Sequence, residues 1–346
     1  MSLTTIEIAS SQLSGEPGER GAAILGRSPL RLALARMRTD PVVIIAGGMI
    51  ALMALLAIFA PVISILTGHN PYNTDLINGT NQFGEPYGPG QNGFLLGTDN
   101  VGRDILVRIA YGARISLLVG TLATLLATVT GTVIGLTSGY YGGWVDAVLA
   151  RLMDTVLSFP YLLVGIATAS VFGPSVPLVV IIIAFFSWGT IGRIVRGQTI
   201  SQKEREYVEA ARSMGASDLR IMFVDILPNL LSPVIVLATL LIPTAIVFES
   251  SLSFLGVGVQ PPTPSWGNMI SDAQGSGLQN WWFWVFPSAA LLVTTLGFNL
   301  LGDSVRDALD PRTERIFATR RRRSRRGPIP PAPLEAQLEA PLEGEA

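Results

Sequence analysis

A chain of 346 residues with 49% hydrophobic and only 14% charged side chains cannot clothe the surface of a soluble globule, in which about 25% of residues are charged; it reads as an integral membrane protein. The basic residues are all arginines except Lys203, and its neighbours, Gln198-Thr199-Ile200-Ser201-Gln202 before and Glu204 after, do not form the G-x-x-x-x-G-K-[ST] loop that cradles nucleotide phosphates. With no cysteine and one histidine, His69, thiolate nucleophiles, disulfides and Cys/His-rich metal sites are excluded as well, which closes most routes to an enzyme.

In chain order, residues 1–41 form a polar N-terminal segment, and Val42–Leu66 is an uncharged run longer than the about 20 residues a crossing needs. It exceeds the apolar region of a cleaved signal and lies too far along the chain, so an uncleaved anchor is expected. A loop at 67–114 follows, rich in turns at Gly68-His69-Asn70-Pro71 and Gly84-Glu85-Pro86-Tyr87-Gly88-Pro89-Gly90, then tightening into Leu96–Arg114. The second span starts at Ile115 within an uncharged stretch that reaches Val145. A third runs from Ala147 to Phe172 and carries Arg151 and Asp154. Gly173-Pro174-Ser175-Val176-Pro177 breaks the chain before a fourth, Leu178–Val195, which Ser175 is placed to cap and Pro177 suits as a first-turn residue. The fifth is Ile226–Phe248, between Asp225 and Glu249, and the sixth Trp281–Gly302. The expected fold is all-α, with six transmembrane helices and both termini on one side. Residues 115–312 form its five-helix core.

Arginine and lysine placement orients it. The N-terminal segment, the connection between the fourth and fifth spans, and the tail hold nearly all the basic residues. The opposite side has Arg103, Arg108 and Arg114 alone. Positive charge stays inside, so both termini are expected in the cytoplasm and the loops 67–114 and 256–280 outside. The tail 313–346 is basic at Arg320–Arg326, then Pro-rich, then acidic. It reads as disordered, its basic cluster suited to anionic lipid rather than nucleic acid.

The connection at 198–228 carries the functional signal. Ser201-Gln202-Lys203-Glu204 has the pattern of a capping box opening a helix to Ser213 or Met214. Gly215 suits the left-handed residue that ends it. Ser217-Asp218 then starts a second helix, with Asp218 at its positive end. Around the bend lie the small residues Ala210, Ala211, Gly215 and Ala216, which let another backbone approach closely. The elbow therefore reads as a docking surface, with packing against the helix ends as the bland alternative.

Glu209-Ala210-Ala211-x3-Gly215-x9-Asp225-x-Leu227-Pro228 resembles the EAA loop of ABC importer permeases, with Asp225 where the family's pattern has an apolar residue or, in its peptide branch, a histidine. Leu96-Gly97-Thr98-Asp99-x2-Gly102-Arg103-Asp104 with Gly112-x-Arg114-x-Ser116-Leu117, Glu249-x2-Leu252-Ser253-Phe254-Leu255-Gly256-x-Gly258 with Pro262-x-Pro264-Ser265-Trp266-Gly267, and Asn299-Leu300-x-Gly302-Asp303-x2-Arg306-Asp307-x2-Asp310-Pro311 resemble the C-type subunit of its dipeptide/oligopeptide/nickel branch. The resemblance implies the type I ABC importer architecture and half of a translocation channel in the cell membrane. It implies four partners: a related B-type permease, two ATP-binding subunits that hold the ATP and Mg, and an extracytoplasmic substrate-binding protein. ATPase coupling would fall to Glu209, Ala210, Ala211, Gly215, Ala216 and Asp218. Substrates of the branch include peptides, nickel chelates, glutathione and glycosides.

Other residues carry two readings each. Asp154 is economically explained by an ion pair with Arg151, one helical turn away, or else lies on the pathway. Glu249 falls near the outer interface, as a hydrogen-bonded structural carboxylate or as a gating group. Leu96–Arg114 is either an amphipathic surface helix with Leu106, Ile109 and Ala110 toward the membrane, or a platform on which Arg103, Asp104 and Arg114 meet the binding protein or the sister subunit. His69 reads as a solvated loop residue. A rival from another class, an ion-coupled secondary transporter, would use Asp154 and Glu249 as proton sites.

Overall fold

The computed structural model describes residues 37–309 apart from Leu278; the expectations for the tail 313–346, including Arg320–Arg326, and for most of the segment 1–41 fall outside the described residues. Five of the described helices are long and apolar enough to cross a membrane, and a bent pair passes the same test together.

Helix α1 (Pro41–Ile58) starts where the Asp40 carboxylate accepts the Val42 N–H at 2.8 Å. The Val42–Leu66 run is not one helix. Pro61, in the first turn of α2 (Ala60–Thr67), follows a break at Phe59, because a proline has no N–H to continue the ladder. Helix α3 (Ile105–Tyr141) is the longest at 37 residues, and Asp104 caps it by accepting from Leu106 N and Val107 N. Leu96–Arg114 is therefore not a surface helix. Its second half is the start of α3, with Ile109 and Ala110 buried in protein. The cause is Asp104, which satisfies the orphan N–H groups of Leu106 and Val107 well before the uncharged run begins at Ile115.

The third span is broken. Helices α4 (Gly143–Ser158) and α5 (Tyr161–Phe172) meet at 81°. Pro160 forces Phe159 into extended backbone, φ −81°, ψ 136°, and so ends α4. Helix α6 (Val176–Lys203) is capped by Ser175, whose hydroxyl accepts from Leu178 N at 3.4 Å. It runs straight through Ser201, so the expected capping box there does not form. That box needs a non-helical N-cap, and Ser201 is already inside a continuing ladder. Helix α7 (Glu206–Ser213), the turn at Gly215 and the short α8 (Asp218–Arg220) make the elbow. A π-helical stretch, Ile221–Ile226, joins α8 to α9 (Leu227–Phe254) without a break. Helix α10 (Trp266–Asp272) opens on a reciprocal Ser265–Asn268 capping box, and α11 (Trp282–Leu309) closes the fold.

Helix α3 is the axis. Against α6 it presents Gly131, Gly135 and Gly139, where an added Cβ would lie 2.6, 2.4 and 2.7 Å from the carbonyl oxygens of Trp188, Gly192 and Arg196. Small residues let membrane helices approach this closely, and van der Waals contact then holds them. Against α9 it packs Gly120 on Ile246. Helix α11 seats Gly297 on α1 at Met49 and Ile50, and Gly302 on Leu240 of α9. Three buried clusters follow one another along the bundle: around Met153, Ile191 and Ile221 at the elbow end, around Val119, Val179 and Leu252, and around Ile105, Trp266 and Phe283 at the loop end.

Candidate functional site: elbow, mid-span cavity and loop end

The elbow is held from inside and bare outside. Val208 and Ala211 of α7 are buried against Ile221, Met222 and Ile226. Gly215, at φ 80°, turns the chain through a conformation that costs other residues about 1–2 kcal/mol. Asp218 accepts the Tyr140 hydroxyl of α3 at 2.6 Å, and the Arg212 guanidinium lies 5.9 Å from the centre of the same ring. Hydrogen bonding to Tyr140 shifts Arg212 upward from its ordinary value, so it stays charged. A polar hollow of about 420 Å³ sits beside this contact, lined by Tyr140, Lys203, Glu204, Glu209 and Arg212 among others. On the solvent side Met214 is 82% and Leu219 64% exposed, with Phe223 and Val224 also uncovered.

The six residues singled out in the elbow therefore separate. Glu209, Ala210 and Gly215 are exposed, whereas Ala211 is buried, Ala216 packs on the core and Asp218 is engaged with Tyr140. The apolar rim, Met214, Leu219, Phe223 and Val224, was missed because its side chains look like ordinary helix faces in sequence. Asp225 lies in the π-helical stretch with its Oδ2 enclosed and no hydrogen-bond partner among the described residues.

Above the elbow, Asp146 of α4 accepts Arg196 Nε and Nη2, at 2.5 and 2.7 Å, and the Ser138 hydroxyl at 2.6 Å. That arrangement joins α3, α4 and α6. Asp154 pairs with Arg193 at 2.5 Å, not with Arg151. The neighbouring helix offers a guanidinium in line with the carboxylate, which the local turn does not. The pair is exposed on both partners and contributes about 0–1 kcal/mol in water.

Midway along the spans a cavity of about 500 Å³ opens between the end of α4, α5, α6 and α9, lined by Leu157, Tyr161, Ser187, Thr190, Thr244 and Phe248 among others, none of them charged. It lies beside the Pro160 break, which swings α5 off the line of α4.

The loop end is tightly built. Asp99 accepts Arg103 Nε at 2.5 Å and lies 3.7 Å from Arg108, while Asp272 meets Arg103 at 3.1 Å and Arg108 at 3.5 Å. Two arginines and two aspartates thus balance, with Arg108 only 1% exposed. Trp282 Nε1 donates to Thr98 O and Trp266 Nε1 to Ile109 O. His69 is not a free loop residue: its Nδ1 is 2.6 Å from Asp104 Oδ2 and its ring stacks on Phe94 at 4.4 Å. Of the proposed contact trio, Arg103 and Asp104 are therefore occupied internally, and Arg114 is exposed over Tyr111. Glu249 is fully buried and accepts the hydroxyls of Ser116 and Ser253, each at 2.8 Å. Neither Glu249 nor Asp154 lines the mid-span cavity.

This is a multi-pass helical membrane protein whose one end is a braced, apolar-rimmed elbow. Residues 131–315 match the family model described as binding-protein-dependent transport system inner membrane component, and residues 28–84 match the N-terminal TM domain of oligopeptide transport permease C. The chain is 40% identical over 285 residues to the dipeptide transport system permease protein DppC of Alkalihalophilus pseudofirmus, covering 82% of this chain and 90% of that protein. It is 41% identical over 286 residues to the glutathione transport system permease protein GsiD of Salmonella typhimurium, covering 83% and 91%. A solved structure of the MetNI methionine ABC transporter in inward-facing conformations aligns with 59% of this chain and 96% of its own, at TM-score 0.48 and 17% identity. The chain belongs to the family of binding-protein-dependent transport system inner membrane components: it is a permease subunit of an ABC importer, a non-catalytic, multi-pass component of the inner membrane.

Proposed function

We propose that this subunit forms half of a translocation channel for di- and oligopeptides, paired with a related B-type permease. Two ATP-binding subunits holding ATP and Mg dock at the elbow, and an extracytoplasmic binding protein delivers substrate at the loop end. The observation that carries this reading is the elbow, pinned by Val208, Ala211 and Ile221 yet offering Met214, Leu219, Phe223 and Val224 outward. Exposed apolar patches rimmed by charge are where partners dock. Because α8 continues through the π-helical stretch into α9 as one span, a push on the elbow acts along that rod. Through Tyr140 it also acts on α3, whose glycine contacts carry α6 with it. Closure of the ATPases thus rocks these spans together, as alternating access requires. The basic residues at the elbow end support a cytoplasmic position for that end.

Glutathione is the second reading for the substrate, supported by the 41% identity to a glutathione permease; nickel chelates and glycosides stand behind it. Ion-coupled transport is disfavoured because Asp154 is ion-paired and Glu249 is enclosed by serines, both off the cavity wall. The test is mild detergent extraction of the tagged chain from its native membrane, with mass spectrometry of the complex. A second permease and two ATPases should co-purify, and uptake should require ATP. Recovery of the chain alone from membranes active in uptake would overturn the reading.

A further inference from the structure

We infer that the hydroxyls of Tyr161, Ser187 and Thr190 contact the transported solute, so that the permease itself reads hydrogen-bonding, amide-bearing solutes by their polar groups and not by charge. This rests on the importer reading above.

An unpartnered hydroxyl away from water costs about 1–3 kcal/mol, and a membrane helix ordinarily avoids that by bonding it to the carbonyl one turn back. Thr168, Ser170, Thr199 and Thr294 do so, at 2.7 to 2.8 Å. Thr244, on the cavity wall, turns its hydroxyl to Leu240 O at 3.4 Å. Ser187, Thr190 and Tyr161 have no hydrogen-bond partner among the described residues and line the same hollow, Thr190 and Tyr161 as exposed residues and Ser187 half-buried, so their hydroxyls are open to whatever occupies it. Ser187 and Thr190 are three residues apart on one face of α6, and Tyr161 opens α5 at the helix break. The hydroxyls of Thr124, Thr128 and Thr132 are also unpartnered, but they are enclosed within α3's contacts and do not line the cavity.

The rest of the wall supplies no fixed partner and no charge, and its volume of about 500 Å³ suits a small solute. Sites of this kind lie near mid-membrane where a helix is discontinuous, which is where the Pro160 break puts this one. A solute passing through can satisfy hydroxyls in turn. A permanent charge here would hold it.

The test uses the whole transporter, purified with its partner permease, ATPases and binding protein and reconstituted in liposomes. Uptake of a dipeptide and of its N-methylated analogue is measured at saturating binding protein. In the S187A/T190V double variant and in Tyr161→Phe, dipeptide turnover should fall about 5- to 30-fold, as 1–2 kcal/mol of lost hydrogen bonding requires. Turnover of the analogue should hold, so the ratio between the two collapses. Thr121→Val, whose hydroxyl bonds to Leu117 O away from the cavity, should leave both rates unchanged. If wild type moves the dipeptide and the variants keep its ratio, the inference fails alone. Loss of the second permease from the variant complexes would overturn it too, by making the hydroxyls subunit contacts. A wild-type assembly that moves neither solute would overturn the peptide reading and this inference together.

Discussion

Replacing Gly135 by alanine adds one methyl group where there is no room for it. An ideal Cβ there lies 2.4 Å from the Gly192 carbonyl oxygen, 2.9 Å from Val195 Cβ and 3.0 Å from Arg196 N. Two of the three are backbone atoms of a helix, so no rotamer change relieves the clash. The first contact falls about 1 Å short of ordinary separation, and a gap of that size opened elsewhere along the interface forfeits roughly a quarter to a half of each atom pair's attraction. Overpacking of this kind costs about 1–3 kcal/mol. The separation would also strain the Asp146–Arg196 bonds, which join α4 to the same stretch of α6. The control is Gly197→Ala, on α6 with nothing within 4 Å of its added Cβ. Helix propensity alone makes that change favourable by about 0.5–1 kcal/mol. Both variants would be heated in mild detergent and the soluble monodisperse fraction followed by size exclusion. Gly135→Ala should lose its peak at a clearly lower temperature than wild type and Gly197→Ala should not. Equal midpoints for the two would refute the claim that direct backbone contact holds α3 to α6.

Four further outcomes follow from the same geometry. Leu219→Asp should leave membrane insertion and thermal stability unchanged while abolishing co-purification of the ATPases, because that side chain touches solvent and not the core; normal association would remove the apolar rim from the docking surface. Gly215→Val should cost about 1–2 kcal/mol at the left-handed turn and uncouple ATP hydrolysis from uptake without loss of the inserted protein, read as uptake per ATP hydrolysed. Arg103→Met strips the guanidinium that hydrogen-bonds Asp99 at 2.5 Å and Asp272 at 3.1 Å, leaving them only Arg108 as counter-charge at 3.5 Å or more, and should destabilise the loop end by about 3–5 kcal/mol, seen as proteolysis of residues 67–104 under conditions where wild type resists. Asp75 accepts the Asn78 N–H at 3.0 Å and its side-chain amide, which hold its carboxyl below the ordinary 3.8. A depressed carboxyl stabilises the fold above the unfolded value and loses that contribution as pH falls through the folded one, so the turn at 75–79 should stay protease-resistant from neutral pH down to about 4 and open only on further acidification, whereas opening between pH 7 and 5 would contradict this.

How much of this was legible in the sequence follows from the range of each interaction. Hydrophobic length is a local property, so the membrane class and the six apolar runs could be read directly, as could Ser175 as a cap and Gly215 as a helix end. The ordered motifs likewise pointed to the permease family that the comparisons then established. Helix boundaries were less legible where a proline or a cap outweighed the apolar pattern: Phe59-Ala60-Pro61 divides the first run, Pro160 bends the third, and Asp104 starts α3 early.

Partners were not legible at all. Asp154 met Arg193 instead of Arg151, His69 met Asp104, Asp218 met Tyr140, and Arg108 met Asp272. A charged side chain takes whichever counter-charge the packed helices bring within reach, and sequence spacing specifies that only inside one helical turn. The same holds for the cavity. Ser187 and Thr190 are unremarkable in a list of apolar-span residues, and only the bend of α5 against α6 and α9 leaves their hydroxyls facing an open, uncharged hollow. The sequence alone determined that this chain spans a membrane and to which kind of machine it is suited. The tertiary structure decided which polar groups are already satisfied and which remain available to another molecule.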